Sequence, residues 1–299
     1  MKKVFLKLLE TNYDDAYLAN LQKLKIDTDA IVEAFSHDDL LCREAILADK
    51  LFKTMACVDY NKYASPFYLG FGNPGSDILV VGKEKAFPAS NSTLLIKESI
   101  NNYRQWKEMA DEEMFDSGQI GVVKKIGFSP LLPKAYHTLD TRRSHTWGIT
   151  SSIITKVYPD KGLSLNETGK VEKSFFDSCF MTELNHIPAK YHQGNGLSPE
   201  RKVFLRDPFF KSFPVVIFSA RSYLKGDDTI LKEVFNVDKG DRILLGKIGC
   251  QKVRELTAIK YRSGEQIIYV CDQLSGASGW SDMAITEFSK NILGDLQAS

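Results

Sequence analysis

The chain lacks any uninterrupted apolar stretch of about 18 residues, the length that a membrane-crossing helix needs. Its cysteines, Cys42, Cys57, Cys179, Cys250 and Cys271, are odd in number and widely spaced, with no pair at zinc-finger spacing. That argues against a disulfide framework and a zinc ribbon, and points to buried, reduced thiols. Charge of one sign is missing too. The 39 basic and 38 acidic residues leave a net charge of +1, so no overall field draws the protein to nucleic acid or to a membrane surface, and a polyanion site would have to be a local basic patch. Internal repeats and low-complexity tracts are absent. The apolar run Val4 to Leu9 is broken by Lys7 and followed by Glu10 without a small-residue cleavage site, which is not the pattern of a secretory leader. The expected location is the cytoplasm.

What is present is enough apolar surface for a sizeable core: 43% of 299 residues. From Asp14 to about Asp59 the apolar positions recur at three and four, as in Leu18, Leu21, Leu24 and then Ile31, Ala34, Phe35. Residues 1–60 therefore read as a helical N-terminal extension packed on a main domain of residues 61–299. Beyond Tyr60 short apolar runs alternate with helical stretches, the rhythm of a parallel sheet covered by helices. The strands expected are Ile78 to Val81, Cys179 to Leu184, Val215 to Ser219 and Ile267 to Cys271. The helices expected between and after them are Leu94 to Met109, Ser144 to Tyr158, Pro199 to Phe210, Thr229 to Phe235 and Asp282 to Leu293, the last with Ser281 and Asp282 at its N-cap. The fold class is α/β, a three-layer sandwich on a four-stranded, mainly parallel sheet.

The segment "YLGFGNPGSDILVVGKEKA", Tyr68 to Ala86, carries Gly70, Gly72 and Gly75 in a spacing that resembles a dinucleotide-binding loop. A pyrophosphate-binding glycine loop follows a strand and opens a helix, whose N-terminus supplies the amides. Here the glycines precede the strand, and Asn73-Pro74-Gly75-Ser76-Asp77 is turn chemistry. No nicotinamide or flavin is expected, and no metal.

In an open parallel sheet, ligands bind beyond the carboxyl ends of the strands. Three of the four predicted strand ends are polar: Lys83, Glu84 and Lys85 after the first, Glu183, Asn185 and His186 after the second, Asp272, Gln273 and Ser275 after the last. The third ends at Ser219-Ala220-Arg221. Each also has a plain structural reading. A Glu between two lysines is commonly a solvated turn, Glu183 and Asn185 can cap a strand end, and Trp280 before a helix is commonly a packing staple.

"ILVVGKEKAF", "CFMTELNHIP", "FPVVIFSA" and "IIYVCDQLSGASGWSD", in that order and spacing, resemble the uracil-DNA glycosylase superfamily over roughly Tyr68 to the C-terminus. That family has a parallel four-stranded sheet between helices. Its first-strand motif has the form Gly-Gln-Asp-Pro-Tyr or Gly-Glu-x-Pro-Gly, an Asn after the second strand reads the base, and a late motif reads His-Pro-Ser. The resemblance implies that Gly82 lets backbone approach the ligand and that Glu84 stands where one branch has its water-activating Asp. This chain departs from the pattern at Lys85 (for Pro), at Ala86 (for Tyr, leaving Phe87 as the aromatic lid), at Glu183 (for Asn, with Asn185 nearby) and at Gln273 (for His, with Ser275 following). A carboxylate at 183 accepts hydrogen bonds only, unless its pKa is raised.

The implied function is recognition of a nucleobase, by a DNA glycosylase that hydrolyses the N-glycosidic bond of a deaminated or damaged base flipped from the helix. Glu84, Gln273 and Ser275 are the catalytic candidates; Gly82, Phe87, Glu183, Asn185, Arg142, Arg143 and Trp280 are the substrate-binding ones. Arg142 and Arg143, with Arg221 and Lys225, form a phosphate rim if they share an edge with Glu84. Two alternatives are a catalytically silent module that binds a nucleotide or nucleic acid, and a hydrolase of small nucleosides or nucleotides. The expected partner is DNA or a nucleotide, with no membrane and no cofactor.

Overall fold

In the computed structural model of the protein, the described residues are 2–53, 60–87, 91–111, 145–161, 175–189, 197–224, 226–248, 254–275 and 278–298. The sheet they form is α/β, mixed and seven-stranded. Its strands are β1 (Phe71–Gly72), β2 (Ile78–Gly82), β3 (Phe180–Glu183), β4 (Val215–Phe218), β5 (Asp241–Ile248), β6 (Arg254–Ser263) and β7 (Gln266–Val270), in the order β1-β3-β2-β4-β7-β6-β5. The four apolar runs expected as strands are β2, β3, β4 and β7, and they pair in parallel at the centre. Their β-branched and aromatic residues are buried on both faces, which is why each reads as a continuous apolar run.

Three strands correct the four-strand expectation. β1 adds antiparallel to the outer side of β3, and β5 and β6 form an antiparallel hairpin beside β7. Strand β6 buries Leu256, Thr257, Ala258 and Tyr261 and leaves Glu255, Lys260 and Arg262 exposed or half-exposed. Charged residues within it keep it from reading as a continuous apolar run. Between Leu244 and Gly246 the register slips by a bulge, and Leu245 stays buried.

Side chains alternate between two cores, one on each face of the sheet. Leu79, Val81, Phe180, Val216, Phe218 and Val270 point into one, which also takes the N-terminal helices and the helical segments 92–111, 199–211 and 221–235. Ile78, Val80, Met181, Val215, Ile217 and Tyr269 point into the other, under the helices His145–Val157 and Asp282–Ala298. Apart from Leu40, which packs in the second core, the N-terminal helices belong to the first: Phe5 meets the rings of Trp106, Phe180 and Phe209 at 5.3, 6.5 and 4.8 Å. None of the described helices is long and apolar enough to cross a membrane.

Two expected helices are interrupted for readable reasons. Pro199–Leu205 and Pro208–Lys211 are separate because Pro208 disfavours helical backbone at Asp207, whose side chain instead caps the second helix at Phe209 N, 2.9 Å away. The stretch 92–111 passes through a π segment, Ile96–Ile100, before the helix Asn102–Asp111. Asn102 then bonds backbone at Leu69 and Gly70. The glycines of the opening motif serve packing. A Cβ on Gly70 would lie 2.1 Å from the Met181 carbonyl oxygen, and one on Gly72 2.4 Å from that of Cys179, so only glycine lets β1 close on β3.

Candidate functional site at the carboxyl ends of the parallel strands

Strand order reverses about β2: the chain leaves it for β3 on one side and later enters β4 on the other. The crevice outside such a switch point is where open α/β sheets take ligands. The loops there are tied together past the strand ends, by Leu184 N to Gly82 O (2.8 Å), Asn185 N to Lys83 O (2.7 Å) and Ala189 N to Lys85 O (2.9 Å).

Glu84, Glu183 and Asn185 are brought together through Tyr223, on the short helix Arg221–Leu224 that follows β4. The Tyr223 hydroxyl donates to Glu84 Oε2, and the Asn185 side chain hydrogen-bonds the same hydroxyl. Burial first, then these carboxylate contacts, hold the phenol well above its usual range. Asn185 is otherwise engaged: its Oδ1 accepts from Ile187 N at 3.1 Å. Glu183 differs. It keeps part of its surface open, and its carboxyl group has no hydrogen-bond partner among the described residues. That carboxyl lies against bare backbone, because a Cβ on Gly82 would fall 2.0 Å from Glu183 Oε2.

Lys85 is no solvated turn residue. It is 8% exposed, its Nζ lies 3.5 Å from the centre of the Tyr68 ring and 4.9 Å from that of Phe71, and it donates to the Glu98 carbonyl inside the π segment, with Glu98 Oε2 at 3.6 Å. π turns shift the backbone ladder and recur at functional sites. Beneath lies Arg201, wholly buried, which donates to the carbonyl oxygens of Leu184 (3.3 Å), Pro66 (3.1 Å), Tyr68 (2.5 Å) and Glu183, and to Thr182 Oγ1 (3.0 Å). Five bonds to the β3 end and the 66–68 turn make it the keystone of the rim.

Burial raises the Glu183 acid to about 8; Lys85 opposes this and Glu84 reinforces it. Burial lowers the Lys85 ammonium to about 7 against the pull of Glu98 and Glu183, and lowers Arg201 to about 9. A carboxyl withdrawn from water favours its neutral form. His186 does not pair with Glu183. Its Nδ1 is buried without a hydrogen bond, and burial, then Arg201, depresses the ring to about 3.

Other expected residues lie elsewhere. Gln273 and Ser275 follow β7, two strands from β2, or about 10 Å across the sheet. The Gln273 carbonyl accepts from Trp280 Nε1 at 3.1 Å, and Ser275 Oγ is 3.2 Å from Ser278 Oγ. Trp280 is buried against Phe288, ring centres 5.4 Å apart, in the second core. Phe87 is buried in the first core. The two aromatic candidates thus sit on opposite faces of the sheet, each packed, and the structure does not bring them together. Arg221 donates to Thr257 O and Oγ1 at 3.0 and 3.1 Å. Arg142, Arg143 and Lys225 lie outside the described residues. Among the described residues no cluster of His, Cys, Asp and Glu could hold a metal ion; Cys179 and Cys271 are free, buried thiols held above their usual range by burial.

Sequence reasoning passed over Tyr223, Arg201, Tyr68 and Glu98. In "SARSYLKG" the cations are what stand out, and nothing in a local pattern distinguishes a buried arginine from an exposed one. No family model, curated protein or solved structure matches the chain.

Proposed function

We propose that the protein recognises a nucleobase and hydrolyses its N-glycosidic bond in DNA, as a divergent relative of the uracil-DNA glycosylase superfamily. The observation that carries this reading is the juxtaposition of an anchored carboxylate, Glu84, with an unpartnered carboxyl, Glu183, lying over the bare backbone of Gly82 at the switch point of the sheet. The parallel centre β3-β2-β4-β7 supports it, since each motif of the resemblance falls at the end of one of these strands.

In this reading a flipped base enters against the Glu183 carboxyl, which itself covers the bare backbone of Gly82. Glu183 reads its edge. As a neutral acid it offers one donor and one acceptor, which complements a lactam edge carrying N–H and C=O. Glu84, fixed by Tyr223, takes a proton from the attacking water as oxygen bonds to the sugar carbon. The C–N bond breaks, and its electron pair leaves with the base. Gln273 donates to substrate farther along the rim; as an uncharged amide it supplies less stabilisation of a departing anion than an imidazolium would. That replacement favours the alternative of a silent binding module.

The test is a panel of oligonucleotides containing uracil, hypoxanthine or xanthine, with abasic product as the readout. Product is expected from at least one, reduced about 100-fold or more in Glu84→Gln with folding unchanged. Binding without product from the wild-type protein would replace this reading with the silent module. Product from free nucleosides alone would replace it with a small-molecule hydrolase.

A further inference from the structure

A hollow lies past the ends of β4 and β7, on the side of the hairpin, with a volume of about 620 Å³. That is within the size range of small-ligand pockets, about 300–1,000 Å³. Its floor is apolar: Leu224, Val237, Ile259 and Val270. Three cations from three segments line it, Arg221 from the helix after β4, Lys232 from the helix Thr229–Phe235 and Lys239 from the turn before β5. None of the three has a carboxylate within ion-pairing distance among the described residues, although ion pairs are frequent elsewhere in the molecule.

Two acids share the cleft, and they differ. Asp228 is engaged by the hydroxyl of buried Tyr261, while Asp238 is exposed and its side chain bonds no described residue. Arg221 is set in place by its two bonds to Thr257 and by its own amide on the Cys271 carbonyl (3.3 Å). Gly240 lets the loop that carries Lys239 press on the Tyr261 ring, since a Cβ there would come within 2.7 Å of it. The lining therefore joins a surplus of positive charge, of which Arg221 is held in place, one open hydroxyl-accepting carboxylate and an apolar bed. An inorganic anion would use only the first of these, and an apolar compound only the last.

We propose that this cleft binds a nucleoside phosphate, with the phosphate at Arg221, Lys232 and Lys239, a sugar hydroxyl donating to Asp238, and the base on Leu224, Val237, Ile259 and Val270. This site is separate from the one at Glu84 and holds whether or not that one cleaves a glycosidic bond. A free mononucleotide and a nucleotide within a single strand present the same chemistry.

Calorimetric titration with AMP, adenosine, inorganic phosphate and a short single-stranded oligonucleotide separates these sources. AMP is expected to bind saturably, and adenosine or phosphate alone at least about tenfold more weakly. The double variant Lys232→Gln, Lys239→Gln, both positions exposed and so harmless to folding, is expected to weaken AMP at least about tenfold. Lys202→Gln, a surface cation paired with Glu233 outside the cleft, should change nothing. Oligonucleotide binding without AMP binding, weakened by the same double variant, makes the strand the source and supports the site. Absence of binding by both ligands, or binding that the double variant leaves intact, overturns it.

Discussion

The two ends of the carboxyl rim handle charge in opposite ways. Around β2 and β3, Lys85, Arg201 and Glu98 are withdrawn from water and held by aromatic rings, carbonyls and one another. Around β4 and β7, Lys232 and Lys239 stand in solvent with no ion-pair partner among the described residues, and only Arg221 is tied down. Desolvated charges shift their proton equilibria and fix backbone, whereas charges left in solvent attract ions. The two ends share a part, for the helix Arg221–Leu224 presents Tyr223 to Glu84 and Arg221 and Leu224 to the cleft.

Arg201→Met tests the buried side most severely. It leaves four carbonyls and a hydroxyl without their donor, and a loss of about 3–5 kcal/mol is expected in urea unfolding. A loss under about 1 kcal/mol would show that the rim does not hang on it.

The pH dependence of stability comes next. Glu183 has its folded pKa raised from 4.5 to about 8, so between those values the unfolded chain has lost a proton that the folded protein keeps. Stability therefore falls as pH rises from about 4.5 to about 8. Lys85, lowered from 10.5 to about 7, acts in the opposite sense, and its contribution grows as pH rises from about 7 to about 10.5. Glu183→Gln should abolish the first slope, worth on the order of a few kcal/mol, and, by removing a charge that supports the Lys85 ammonium, move the start of the second to lower pH. Unfolding midpoints from pH 5 to pH 10 read both; an unchanged slope below pH 8 would mean that Glu183 is ionised in the folded protein.

Gly82→Ala should cost about 1–3 kcal/mol, because the new methyl must displace the Glu183 carboxyl. Smallest of all, Lys232→Gln should change stability by less than about 0.5 kcal/mol, as befits an exposed charge. A larger loss would erase the contrast between the two ends of the rim.

The central strands were legible because burial on both faces writes itself as unbroken apolar runs, as in Ile78-Leu79-Val80-Val81. The helix Thr229–Phe235 and the Ser281 cap, with Ala284 N at 3.2 Å, followed from local rules for the same reason. The hairpin is not legible because Arg254–Ser263 mixes charged Glu255, Lys260 and Arg262 with its apolar residues, so it reads as loop. At the site, Glu84 and Glu183 were legible from their places after strands, and Arg201 and Tyr223 were not. Their roles arise from segments far apart in the chain: Arg201 bonds Pro66 and Tyr68, and Tyr223 bonds Glu84. The enclosure of Lys85 is non-local in the same way, since it depends on Tyr68 and Glu98.

The seating of Phe5 among Trp106, Phe180 and Phe209 has a consequence for synthesis. These rings emerge from the ribosome in succession, and Phe5 waits for the last of them with Leu8 and Leu9 beside it on the same helix. Until Phe209 is made, the nascent chain carries a greasy amphipathic segment with nowhere to go, a natural handle for a chaperone and a natural seed for clumping.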